Sequence, residues 1–185
     1  FKYVNLFCIK YHCMKRKTIV LAAVLFVVIA AITAFAAAFP LKYKNEVERF
    51  SEKYSVDESL VYAVIKAESN FRPERISDKG AIGLMQIMPD TAEYIGKEFY
   101  GGRKFDLFKP CDNIEAGCFY LAYLTERFSD LTAMLAAYNA GEGNVRLWLK
   151  RNNAETLDID SIPFEETRKY VKKVKFFLKV YRTMV

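Results

Sequence analysis

"VYAVIKAESNF", residues 61–71, places a glutamate where a helix is otherwise oily. With 3.6 residues per turn, Leu60, Val61, Val64 and Ile65 fall on one stripe, and Glu68 continues that stripe at helical spacing. Asp57 is placed to cap the start and Glu58 sits in the first turn, so a helix is expected from Glu58 to about Ser69. Glu68 then falls in the last turn, where burial and the negative end of the helix both favour a protonated carboxyl. A proton-loaded acid in an apolar cleft is what cleavage of a glycosidic bond needs. The same placement also suits an acid paired with an arginine or reaching solvent at a helix end, and this segment alone leaves both readings open.

Upstream, Thr18 to Phe39 carry no charge over 22 positions, which as a helix reach about 33 Å, enough to cross a bilayer. Lys15, Arg16 and Lys17 stand directly before this run, which favours a cytoplasmic N-terminus and an exported remainder. The expected organisation is a cytoplasmic segment 1–17, a transmembrane or signal-anchor helix 18–39, a linker 40–46 and a catalytic domain 47–185. The alternative is a signal peptide cleaved near Ala38, since Ala36 and Ala38 form an A-x-A-like site. The apolar run is longer than signal peptides usually carry, which favours a retained anchor.

Composition removes several chemistries. Residues 1–39 hold five Lys/Arg and no Asp/Glu, so the 185-residue chain has 23 basic and 22 acidic residues beyond them, and a nucleic-acid partner is not expected. The single histidine, His12, lies before the apolar run, which leaves no Ser-His-Asp triad, Cys-His dyad or histidine-based zinc site for the exported part. Neither metal nor cofactor is expected there. Cys111 and Cys118 are read as two buried, unbridged thiols, because a helix capped at Asp112 or Asn113 separates them by more than a turn.

Downstream of Glu68 the chemistry-bearing residues come in three clusters. "SDKGAIGLMQIMP" (77–89) sets Gly80 and Gly83 beside a bulky apolar run that contains Gln86, a mixture suited to a sugar ring and equally to a core turn. "AAYNAGEGN" (136–144) ends an apolar helix on Tyr138 and Asn139, able to hold an N-acetyl group or simply to cap the helix. "IPFEETRKYVKKV" (162–174) can open a helix at Pro163, with Thr167, Tyr170 and Val174 along a face that serves either a site or the core. Further helices are expected near 90, 112–128, 130–140, 144–151 and 164–183, with no alternating strand pattern, so the fold is mainly α.

Taken in order, "ESNF" (68–71), Ser77 with "GA.GLMQIMP", "AAYNAG" (136–141) and "IPFEETRKYV" (162–171) resemble the four motifs of the soluble-lytic-transglycosylase family, over about Val47 to Val180. The resemblance implies a goose-type lysozyme-like helical domain behind the N-terminal helix. It implies that Glu68 is the catalytic acid/base and that Ser77, Met85, Gln86, Tyr138, Asn139 and Tyr170 line a saccharide groove, with Ala81, Gly83 and Leu84 shaping the bend beside it. Asp78 and Lys79 depart from the family's less charged residues there. The implied partners are peptidoglycan glycan strands and, through the helix, the cell membrane, with a monomer expected. The implied reaction cuts between N-acetylmuramic acid and N-acetylglucosamine, leaving 1,6-anhydro ends. A hydrolytic muramidase of the same fold and a non-catalytic wall-binding module are the alternatives.

Overall fold

The computed structural model describes the backbone of residues 2–185 and the side chains from Thr18 onward. It divides into two compact units, meeting at Pro40 and Leu41. The first is one helix, α1 (Lys2–Ala38), whose 21 residues Thr18–Ala38 are unburied and long and apolar enough to span a membrane. Side chains of the expected cytoplasmic segment 1–17 lie outside the described residues.

The second unit contains α2 (Lys44–Tyr54), α3 (Glu58–Glu68), α4 (Pro89–Phe99), α5 (Pro110–Thr125), α6 (Leu131–Ala140), α7 (Glu142–Asn152), a 3-10 turn (Ile159–Ser161) and α8 (Glu165–Tyr181). Among the described residues no strand forms; Ile82 makes isolated antiparallel bridges with Ile76 and Ile87. Because α2 starts at Lys44, the non-helical connection after α1 is shorter than the linker expected over 40–46.

Helix α3 is the core. Leu60 to Ile65 are all buried, as is Ala67, so the helix is apolar around most of its circumference and must be enclosed by others. Helix α8 packs along it through Thr167, Tyr170, Val171, Val174, Leu178 and Tyr181, one buried stripe at helical spacing. Tyr62 stacks on Tyr181 with ring centroids 5.3 Å apart. Asp57 caps α3 by accepting from Ser59 N at 2.9 Å, and its other oxygen accepts from Arg182 Nη2 at 2.9 Å. The start of α3 and the end of α8 are thus latched by one carboxylate. Asp130 plays a similar part for α6, accepting from Thr132 N, Ala133 N and Leu157 N.

The connection from α3 to α4 has no helix of its own and is held from outside. Asn113, wholly buried in α5, accepts from Met85 N at 2.8 Å and donates to Ile82 O and Leu107 O, each at 2.9 Å. Gly83 has a φ of 84°, and a Cβ there would meet Asn113 Nδ2 at 2.2 Å and Leu107 O at 2.4 Å. On α5, a Cβ at Gly117 would meet Met85 Sδ at 2.2 Å, so a side chain is missing where Met85 must enter.

Three sequence expectations are corrected. Helix α5 opens on Pro110 with Lys109 at the cap position, not at Asp112 or Asn113, because Asn113 is drawn inward to the turn it holds. Consequently Cys111 lies in the exposed first turn; Cys118 is buried, and neither is bridged. The helix after Pro163 begins at Glu165, with Pro163 outside it.

Replacing Asn113 by Ala leaves Met85 N–H and two carbonyls without their partner in a buried place, at a cost of about 2–4 kcal/mol. Urea unfolding followed by circular dichroism is expected to show that loss, with Gly83→Ala also destabilising.

Candidate active site

Glu68 is the last residue of α3. Part of its surface is accessible, yet protein atoms crowd the carboxyl, and this desolvation pushes its pKa up from 4.5 to about 7. Three groups act against the rise: the Tyr170 hydroxyl, the Lys173 ammonium and the Arg75 guanidinium. Glu166 adds to it through like charge. Lys173 also donates to Ala67 O at 2.6 Å, so the cation sits on the C-terminal turn of α3, where the helix dipole welcomes it.

Tyr138 and Tyr170 reach the acid from α6 and α8. Both phenols are pushed well above their ordinary pKa by burial first and by the Glu68 charge second, so both remain protonated donors. Tyr138 donates to Met85 O at 2.8 Å. The Tyr170 hydroxyl is buried without a hydrogen bond of ordinary geometry among the described residues, although it is near enough to the carboxyl to favour its ionised form.

The remaining sequence candidates divide by what they touch. Gln86 adopts φ 51° and turns its amide back, donating to Arg75 O at 3.0 Å and to Gly83 O at 2.9 Å. Ser77 accepts from Ala81 N at 3.0 Å and closes the turn that carries Lys79. Asn139 accepts from Thr167 Oγ1 at 2.8 Å, tying the end of α6 to α8. Met85 is fully buried with its sulfur against Gly117, so its side chain serves packing and its carbonyl holds Tyr138. Glu68, Tyr138 and Tyr170 are thereby brought together, while Gln86, Ser77, Asn139 and Met85 brace the surrounding backbone.

Backbone conformation is unusual beside the acid. Asn70 and Phe71 both have positive φ, at 53° and 61°, and buried Phe71 leans on Tyr62 at 6.3 Å. A bulky residue in this region carries strain that surrounding packing must hold. Two cavities of about 520 Å³ lie away from the acid, one between α4 and the 102–108 loop and one between the end of α2 and α5; Glu68 lines neither.

Sequence reasoning missed Asn113, Lys173 and Arg75. An asparagine in the first turns of an otherwise apolar helix signalled the first, and a lysine six residues past Thr167, beside the buried stripe of α8, gave little sign of the second.

Because its folded pKa is raised, Glu68 binds a proton more tightly in the folded chain than in the unfolded one. Its contribution is fully present below pH 4.5 and is lost as pH climbs through about 7. Glu68→Gln is therefore expected to be near neutral at pH 4 and to stabilise by about 2–3 kcal/mol at pH 9, measured by urea unfolding at both values. Lys173→Met removes a cation that favours the ionised form, so it is expected to raise the pKa of Glu68 further, read from the titration of the carboxyl by NMR.

A profile of the transglycosylase SLT domain matches residues 46–160, which stops short of the motif at 162–171. The chain is 40% identical over 153 residues to a soluble lytic murein transglycosylase of Salmonella typhimurium, covering 78% of this chain and 23% of that protein. It is 34% identical over 168 residues to membrane-bound lytic murein transglycosylase C of Edwardsiella ictaluri, covering 76% of this chain and 46% of that one. The crystal structure of the 70-kDa soluble lytic transglycosylase of Escherichia coli superposes with a TM-score of 0.73 at 38% identity, over 79% of this chain and 25% of the other. This chain thus spans less than half the length of these relatives. The lysozyme-like helical fold, the buried acid and the matched residues agree: the chain belongs to the transglycosylase SLT domain family.

Proposed function

We propose that the chain is a peptidoglycan lytic transglycosylase in which Glu68 serves as both acid and base. The observation that carries this reading is a single carboxyl held near pKa 7 between two protonated phenols. Such a group gives up a proton readily at neutral pH and takes one back with comparable ease. In the first step Glu68 protonates the glycosidic oxygen on the N-acetylglucosamine side, and the bond to C1 of N-acetylmuramic acid breaks. The positive charge at C1 is met by the carbonyl oxygen of the substrate's own N-acetyl group, and the phenols stabilise the newly ionised Glu68. In the second step Glu68 removes the proton from the C6 hydroxyl, and O6 closes onto C1 as the 1,6-anhydro ring. No water is consumed and Glu68 ends protonated, ready for another cycle.

A hydrolase normally employs a second carboxylate to activate water or to attack C1. Glu166 is the acid whose charge acts on Glu68, but it is exposed and paired with Lys79 at 3.1 Å. Glu142 is bound to Arg146 and Arg127. Their engagement supports the non-hydrolytic reading. Gln86, Ser77, Met85 and Asn139 support the groove by fixing its backbone, with Tyr138 and Tyr170 facing the reacting centre.

The membrane-length helix and the membrane-bound relative support anchoring of the domain. In this reading residues 1–17 are cytoplasmic and the domain acts outside, on wall close to the membrane, where tethering raises its local concentration.

Digestion of purified sacculi by residues 40–185 is expected to release products lighter by one water than their hydrolytic counterparts, identified by mass spectrometry. Reducing ends would establish a muramidase instead, and binding without release a wall-binding module. Glu68→Gln is expected to lower turnover by about 100- to 10,000-fold.

A further inference from the structure

Positive charge is unevenly placed along the chain. From Arg168 to Arg182 stand seven basic and no acidic residues, which leaves 16 of the 23 basic residues beyond position 39 against all 22 acidic ones. Helix α8 is therefore strongly positive on a unit whose remainder is negative. Three of the seven side chains turn back onto the protein: Arg168 donates to Pro163 O at 3.2 Å, Lys175 to Thr132 Oγ1 at 2.7 Å and Arg182 to Asp57. The other four, Lys169, Lys172, Lys173 and Lys179, are exposed.

These four lie seven, four and three positions before Phe176 and three after it, so they surround its ring on one face of the helix. Phe176 is 58% exposed and touches Phe177 at 5.7 Å. The core does not need this face, because the opposite side of α8, from Thr167 to Tyr181, already packs on α3 and α6. Present engagements are slight. Lys169 pairs with Glu165 at 2.7 Å and Lys172 with Asp160 at 3.3 Å, but both members of each pair are exposed, and such pairs contribute little and exchange readily.

Two features select the partner. Lysines are point charges on flexible stems, so a cluster of them suits a field of anions more than one ligand with directed contacts. An exposed phenylalanine at the centre suits an apolar layer lying directly behind those anions. An anionic bilayer surface offers both, and the same chain carries a membrane-length helix joined to α2 through residues 39–43. A wall polymer offers the charge without the apolar layer.

We propose that the outer face of α8 docks the domain onto anionic phospholipid headgroups, with Phe176 entering the interface and Lys169, Lys172, Lys173 and Lys179 meeting the phosphates. This rests on the anchored reading of α1. Since α3 and α6 occupy the apolar side of α8, one ring and the charge carry the contact, which makes it sensitive to salt. Lys173 belongs both to this face and to the surroundings of Glu68, so docking holds the acid's end of α3 close to the bilayer.

The test uses the full chain reconstituted in vesicles, with Phe176→Trp as reporter and acyl-brominated phospholipid as quencher; native Trp148 is 4% exposed and supplies a constant background. Quenching of the reporter is expected in bilayers containing phosphatidylglycerol, is expected to be absent in phosphatidylcholine alone, and is reversed by high salt. Phe108→Trp, on the loop beside α4, is expected to stay unquenched in both. Adding Lys172→Gln and Lys179→Gln to the reporter is expected to lower the ratio of docked to free domain about fivefold for each lysine lost. Equal quenching in the two bilayers, no quenching at position 176, or lysine variants without effect overturns the docking face. A reporter that responds to added sacculi and not to phosphatidylglycerol overturns it too, and assigns the face to the wall. In those cases the chain still stays with the vesicles through an alkaline carbonate wash; a chain that washes off overturns anchoring and docking together.

Discussion

One buried amide fixes the geometry on which the site depends. The three hydrogen bonds of Asn113 hold the irregular 82–87 turn to α5 at Met85 N and Ile82 O, and bind it to the 107 backbone as well. A turn without helix or sheet of its own pairs only some of its backbone groups internally, here Ile82 with Ile87 and Gln86 with Gly83, and burying it demands outside partners for the rest. With that turn in place, the Met85 carbonyl is positioned to receive Tyr138, and Tyr138 in turn stands beside Glu68. The small residues Gly83 and Gly117 are the steric counterpart of the same arrangement, since either side chain would occupy space already taken.

The character of Glu68 comes from opposing influences of unequal size. Burial dominates and raises the pKa; Tyr170, Lys173 and Arg75 restrain the rise, so the value settles near neutrality instead of running higher. An acid with no restraint would hold its proton too firmly to donate it, and one fully paired with a cation would have none to give. Lys173 illustrates how little is needed, because its ammonium is committed to the Ala67 carbonyl and acts on the carboxyl from one residue away. Helix α8 therefore contributes a phenol and a cation three residues apart, and both favour the ionised carboxyl.

Much of this was readable in the chain. The stripe Leu60, Val61, Val64, Ile65 and Glu68 specifies a buried helix and the oddity at its end, and the cap at Asp57 follows from ordinary helix chemistry. The series of helices followed from spacing, with ends displaced by a few residues where Pro110 and Pro163 were weighed differently by the packed structure. What spacing does not carry is direction. Met85 reads as a groove residue next to Gln86, but its side chain points into the core because Gly117 leaves room there. Cys111 reads as one more small apolar residue, yet it lies in the first turn of α5, which faces solvent. Asn113 looks like a cap by type and position, and only contacts thirty residues distant in sequence reveal it as a clamp.

The carboxylate of Asp57, shared between the start of α3 and Arg182, joins two segments far apart in sequence. Tyr170 and Lys173 reach Glu68 only once α8 has docked on α3. Before that moment Glu68 is an ordinary surface carboxylate with no stored proton at neutral pH. A chain clipped before α8 thus keeps Glu68 but lacks the phenol and the cation beside it. The acid's unusual hold on its proton is thus a property of the docked pair α3 and α8, absent from either helix alone.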